Sequence, residues 1–107
     1  VKDKLKLIKE IILNAARKYD IEIEKIILFG SRAKGNYKDY SDWDILIVTR
    51  EELDKKVLDE FWEILDWELA KYIVPEIIII DNESLKKYSE YKGFVYYWAL
   101  KEGITIE

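Results

Sequence analysis

The chain has 107 residues, half of them hydrophobic and 14% aromatic, with a formal net charge of −4. That is enough for one domain, 1–107, with its own core, and the acidic balance argues against nucleic acid as the main partner. There is no Cys and no His, which excludes disulfides, thiolate zinc sites and His-based acid–base chemistry, so any metal must take oxygen ligands.

No apolar run approaches the roughly 18 residues of a membrane helix, and no signal-peptide pattern is present. The expectation is a cytoplasmic protein without a membrane association. Lys, Glu and Ile dominate while Met is absent, a composition common in thermophile proteins.

In chain order, Lys2 to Tyr19 reads as a helix. Leu5, Ile8, Ile12, Ala16 and Tyr19 recur at three- and four-residue steps, with Asp3 as a candidate N-cap. Asp20 to Glu24 reads as a polar link. Ile26 to Phe29 is an apolar run with the look of a buried strand. Gly30 is a turn, Ser31 to Lys34 a short helix ended by Gly35, and Asn36 to Ser41 a loop. Asp42 to Thr49 is the second strand, and its Ile45-Leu46-Ile47-Val48 core suggests burial on both faces.

The spacing leaves the relation of these two strands open, antiparallel or joined by a crossover. Leu53 to Tyr72 is a long helix with Leu58, Phe61, Trp62, Leu65 and Leu69 as its stripe. Its charged residues, Lys56 and Glu60 among them, read as a solvated face. Pro75 introduces a third strand, Glu76 to Ile80. Asn82 is a candidate N-cap for a helix from Ser84 to Tyr91, Gly93 breaks the chain, Phe94 to Lys101 is a further helix, and Ile104 to Ile106 is extended. Strands alternating with helices predict an α/β (α+β) domain, a small mixed β-sheet flanked by helices.

The chemistry gathers between Gly30 and Asp44. A Gly-Ser turn from a strand into a helix offers backbone N–H groups to a phosphate. Gly30 permits close approach, Ser31 adds a hydroxyl, and Arg32, Lys34 and Lys38 add positive charge. Asp42 and Asp44 are two apart in a strand, so both side chains point to one face while Trp43 and Ile45 point to the other. Two carboxylates side by side repel, and a divalent cation relieves that. Glu76, at the start of the third strand, shares a face with Ile78 and Ile80. Phosphate turn, basic loop and three acids are the components of metal-assisted phosphoryl or nucleotidyl transfer, with two Mg²⁺ ions clamping a triphosphate. The third acid either completes the metal set or acts as general base.

Gly30-Ser31, ten intervening residues, then Asp42-Trp43-Asp44 resembles the G-S-x10-D-x-D signature of the minimal nucleotidyltransferases, the MNT proteins of the DNA polymerase beta-like superfamily. The resemblance runs across most of the chain and implies the minimal polymerase-beta-like nucleotidyltransferase fold. It implies Gly30 and Ser31, with Arg32 and Lys34 assisting, as nucleotide-binding residues. It implies Asp42, Asp44 and Glu76 as catalytic and Mg²⁺-binding. The family's third acid is usually Asp, so Glu76 is a departure of one methylene. The resemblance also implies a HEPN-domain toxin as partner, neutralised by AMP transfer from ATP to one of its tyrosines. The alternative is an MNT-like antitoxin that neutralises by binding alone.

Two further surfaces stand out. Trp67 falls off the helical stripe and is a candidate partner contact. Tyr88, Tyr91, Phe94, Tyr96, Tyr97 and Trp98 exceed what one small core needs, so about half should be core and the rest should meet a partner or a second copy of the chain.

Overall fold

The computed structural model describes residues 2–106. Helix α1 (Lys2–Lys18) leads into β1 (Ile23–Phe29), the short α2 (Gly30–Lys34) and β2 (Trp43–Thr49). Then follow α3 (Lys55–Leu69), β3 (Pro75–Asp81), α4 (Asn82–Tyr88), α5 (Val95–Glu102) and β4 (Ile104–Thr105). The four strands form one mixed sheet in the order β3-β2-β1-β4. The open choice between the first two strands is thereby closed: β1 and β2 are antiparallel, β2 and β3 parallel, and β4 antiparallel to β1.

The centre of the sheet is buried on both sides, since Ile45, Leu46, Ile47 and Val48 have no exposed surface. Alternation divides them. Ile45 and Ile47 join Ile26, Leu28, Trp43 and Ile77 beneath α1 and α3, where Ile8, Ile12, Phe61 and Leu65 close the larger core. Leu46 and Val48 join Ile27, Phe29 and Ile80 beneath Leu85 of α4 and Ala99 of α5. At roughly 1.5–3 kcal/mol per buried aliphatic side chain, these two layers are the main favourable term holding the sheet.

Several boundaries differ from the expectations. β1 starts at Ile23 rather than Ile26, because Ile23 and Lys25 pair with Thr49 and Val48 across an irregular register that the exposed Glu24 and Lys25 conceal in the hydrophobic pattern. α3 is shorter than Leu53 to Tyr72. Asp54 caps it by accepting from Val57 N at 2.9 Å, and Tyr72 and Ile73 turn back onto the Leu69 carbonyl. The cap of α4 is Asp81, not Asn82; its carboxylate accepts from Ser84 N at 2.9 Å, and the helix stops at Tyr88. Trp62, counted in the apolar stripe, is 41% exposed, and its indole N–H donates to the Ile77 carbonyl at 3.2 Å.

Gly103 ends α5 against β1. A Cβ there would overlap the Ala99 carbonyl and lie 2.5 Å from Ile27 Cγ2 and 3.0 Å from the Leu28 carbonyl. Two of these obstacles are backbone and cannot swing aside. Gly103→Ala is therefore expected to lower stability by about 1–3 kcal/mol through overpacking, read from the urea unfolding midpoint.

Candidate active site

The site lies at the edge of the sheet where β1 ends and where β2 and β3 begin. Phe29, the last residue of β1, is the cross-strand partner of Asp44. On the other side of β2, Asp44 is the register partner of Glu76, so the two carboxylates occupy adjacent strands and the same face. Asp42 precedes β2 by one position and is exposed, as is Glu76, while Asp44 is half-buried.

Gly30 turns the chain out of β1 with φ +70°, a region that L side chains rarely adopt. A Cβ at Gly30 would overlap the Asp44 carboxylate, whose Cγ lies 3.0 Å from that position. The absent side chain of Gly30 is thus what makes room for Asp44. Ser31 is half-buried in the first turn of α2, and no side chain caps that helix, which leaves its first N–H groups without an intrahelical partner. Gly35 closes α2 in the left-handed region, its N–H donating to the Ser31 carbonyl at 3.0 Å.

The electrostatics follow from this packing. Burial, then the charges of Asp42 and Glu76, push the Asp44 carboxyl above its usual 3.8. Its charged form is disfavoured by its surroundings and is the form a cation would favour. Among the described residues no three carboxylates converge into a ready cation cage. Mg²⁺ does not require one: it keeps several waters and takes one or two carboxylates together with substrate phosphates. An all-oxygen, mutually repelling donor set on an open ledge fits that ion.

The basic residues separate. Lys34 pairs with Glu102 of α5 at 3.2 Å, both about half exposed. Arg32 turns to the opposite side of β2 from Asp44. Its guanidinium stacks on Trp43 (4.7 Å to the ring centroid) and on Tyr37 (4.3 Å), and its Nη2 donates to the carbonyls of Asp39 at 3.1 Å and Ser41 at 3.0 Å. The contacts of Tyr37 and Ser41 with Arg32 have no signature in the sequence, because an irregular loop has no periodicity to reveal what its residues meet. A hollow of about 530 Å³ between α1 and β4, lined by Leu5, Lys9, Leu13 and Ile106, contains none of these residues.

Elsewhere, Trp67 stands 70% exposed on α3. Of the C-terminal aromatics, Tyr88 and Tyr96 pack on the second core, while Tyr91, Phe94 and Trp98 remain substantially exposed. On the charged face of α3, Lys55 pairs with Asp59 at 2.9 Å. Among the described residues no helix is long and apolar enough to cross a membrane.

Residues 8–101 match the model of the nucleotidyltransferase domain family. A Methanocaldococcus jannaschii protein, provisionally named a protein adenylyltransferase, is 42% identical over 80 residues, covering 75% of each chain. Among solved structures, a Sulfolobus solfataricus protein provisionally described as a nucleotidyltransferase superimposes with a TM-score of 0.56 at 27% identity, over 96% of this chain and 78% of that one. A toxin–antitoxin complex solved with AMP-PNP gives a TM-score of 0.59 at 20% identity, over 92% of this chain and 71% of that one. That last likeness is one of fold.

Proposed function

Because the chain belongs to the nucleotidyltransferase domain family, we propose that it transfers AMP from ATP, with Mg²⁺, to a tyrosine of a HEPN-domain toxin and so serves as the toxin's antitoxin. The observation that carries this reading is the close packing of the Asp44 carboxylate on Gly30, with Glu76 beside it and Asp42 two residues before it. A phosphate approaching the Gly30-Ser31 turn would meet backbone donors on one side and the carboxylates on the other. The name of the Methanocaldococcus relative supports a protein as acceptor. The nucleotide analogue in the toxin–antitoxin neighbour supports ATP and a toxin partner.

In the reaction, the tyrosine oxygen attacks the α-phosphorus. The bond to the bridging oxygen of the β-phosphate breaks, pyrophosphate leaves, and the hydroxyl proton passes to a carboxylate. Gly30 and Ser31 hold the triphosphate, and Lys34 lies close enough in sequence to assist it. Asp42 and Asp44 orient the reacting end, and Glu76 is the third acid, as a further ligand or as general base. Mg²⁺, one ion or two, when bound to these carboxylates would supply charge neutralisation of the triphosphate and a lowered pKa for the attacking hydroxyl.

The contact-only reading has one observation in its favour: among the described residues no three carboxylates converge. Trp67 would then be a natural anchor for the partner. Co-expression with a HEPN-domain toxin separates the two. The proposal expects the partner to gain the mass of one or more AMP groups on tyrosine, and to gain none with an Asp42→Asn/Asp44→Asn variant or after chelation of Mg²⁺. An unmodified partner that is nevertheless silenced by both proteins would replace transfer with contact.

A further inference from the structure

We propose that Arg32 is a positioning residue: it fixes the loop that presents Asp42, and does not hold the triphosphate. The inference rests on reading Asp42 and Asp44 as the reactive carboxylates. It starts from where the guanidinium is spent. Both of its bonds from Nη2 go to main-chain carbonyls of the loop, Asp39 and Ser41, and the second is the residue immediately before Asp42. The guanidinium also lies over the ring of Tyr37, from the same loop, and over that of Trp43, the residue immediately after Asp42.

Asp42 is therefore bracketed by two Arg32 contacts. On its C-terminal side, Trp43 N donates to the Val74 carbonyl at 2.8 Å and locks into the sheet. On its N-terminal side the loop's own bonds are local: Ser41 N to the Lys38 carbonyl at 3.0 Å, and Lys38 N to Ser41 Oγ at 2.9 Å. Among the described residues these bonds close the turn on itself without tying it to other elements. Arg32 supplies that tie, because it belongs to α2, whose start is fixed at Gly30 over Asp44. One side chain thus couples the phosphate turn to Asp42 from behind.

The geometry needs arginine. A planar guanidinium lies over two rings and still reaches two carbonyls, whereas an ammonium is a point charge that cannot stack in this way. Arg32 Nε is buried with no hydrogen-bond partner, so the group is held by the rings and by its far end. Arg32 faces away from Asp44, toward a hollow formed with Lys4 of α1 and the turn after α3, including Tyr72 and Val74. A triphosphate engaged by Asp44 would be on the other side of the sheet.

The test uses the full chain with Arg32→Lys, which keeps the charge, and Tyr37→Leu, which removes one stacking face from a side chain that is itself 38% exposed. Three readings are taken: amide hydrogen exchange over residues 37–42, binding of Tb³⁺ followed by luminescence sensitised by the chain's aromatic residues, and the kinetics of transfer. Arg32→Lys should raise exchange in the loop by about tenfold with the strands unchanged. It should weaken Tb³⁺ binding by about tenfold. It should lower kcat by about 10- to 100-fold while KM for ATP stays within about twofold. Tyr37→Leu should move the same readings in the same direction, by less.

A raised KM for ATP with unaltered loop exchange and Tb³⁺ binding would overturn the inference and return Arg32 to the triphosphate. Wild-type values for both variants would also overturn it. If the wild-type protein transfers nothing, the proposed function fails, while loop exchange and Tb³⁺ binding still decide the role of Arg32.

Discussion

Asp44→Asn should silence transfer and, at neutral pH, make the protein more stable. The two effects have one cause. Asp44 is half-buried beside Glu76 and close to Asp42, and these surroundings raise its pKa above 3.8. Between 3.8 and the raised value, the folded protein binds more protons than the unfolded chain. Stability therefore falls as pH rises through that window. Above it the charged carboxylate is a fixed penalty on the fold, and asparagine of the same shape removes it. The melting temperature of Asp44→Asn should exceed that of the wild type at pH 7, and the difference should close as pH falls toward 3.8 and below. Transfer should drop by about a thousandfold or more, equivalent to roughly 4 kcal/mol of barrier, as expected for loss of a charged group at the reacting phosphate. A variant that loses activity and stability together would point to a structural role for Asp44 instead.

Gly30→Ala should be the most damaging small substitution in the chain. Two independent strains act at this position. The backbone has φ +70°, which costs an L-residue about 1–2 kcal/mol, and the new methyl overlaps the Asp44 carboxylate. Together they should lower stability by about 2–4 kcal/mol and displace Asp44 enough to abolish measurable transfer. The two strains can be separated. In the Asp44→Ala background the steric term vanishes while the backbone term remains, so Gly30→Ala should cost less there by about 1–2 kcal/mol. An identical cost in both backgrounds would mean that Gly30 does not make room for Asp44.

The central strands and the faces of their acids were legible from residue type and alternation alone. Ile26 to Phe29 and Ile45 to Val48 read as buried strands, and the period of two put Asp44 on the opposite face from Trp43 and Ile45, whereas Asp42, read as the first residue of that strand, lies just before it. What alternation cannot give is which strand lies next to which. That Asp44 and Glu76 are direct neighbours follows from the parallel pairing of β2 and β3 across α3, a long-range fact with no local signature. The antiparallel pairing of β1 with β2 was equally invisible, since the connecting segment is long enough for either arrangement.

The basic loop was read by charge, and charge has no direction. Arg32 and Lys34 look equivalent in sequence, but Arg32 follows Trp43 to one side of the sheet while Lys34 meets Glu102. The exposed Glu24 and Lys25 hid the first residues of β1 for a related reason: exposed residues can be strand by hydrogen bonding without any hydrophobic pattern. Of the excess aromatics near the C-terminus, about half are expected in the core, yet only Tyr88 and Tyr96 pack on it, both partly buried, while Tyr91, Phe94 and Trp98 are exposed.

ATP labelled at its α- or its γ-phosphorus, incubated with the chain, Mg²⁺ and the proposed HEPN-domain partner, reports which bond of the triphosphate breaks. The account predicts α-label on the partner and γ-label released in pyrophosphate, with neither event in Asp42→Asn/Asp44→Asn. Label from the γ-phosphorus on the partner, or an unlabelled partner that wild type and double mutant silence equally well, would contradict it.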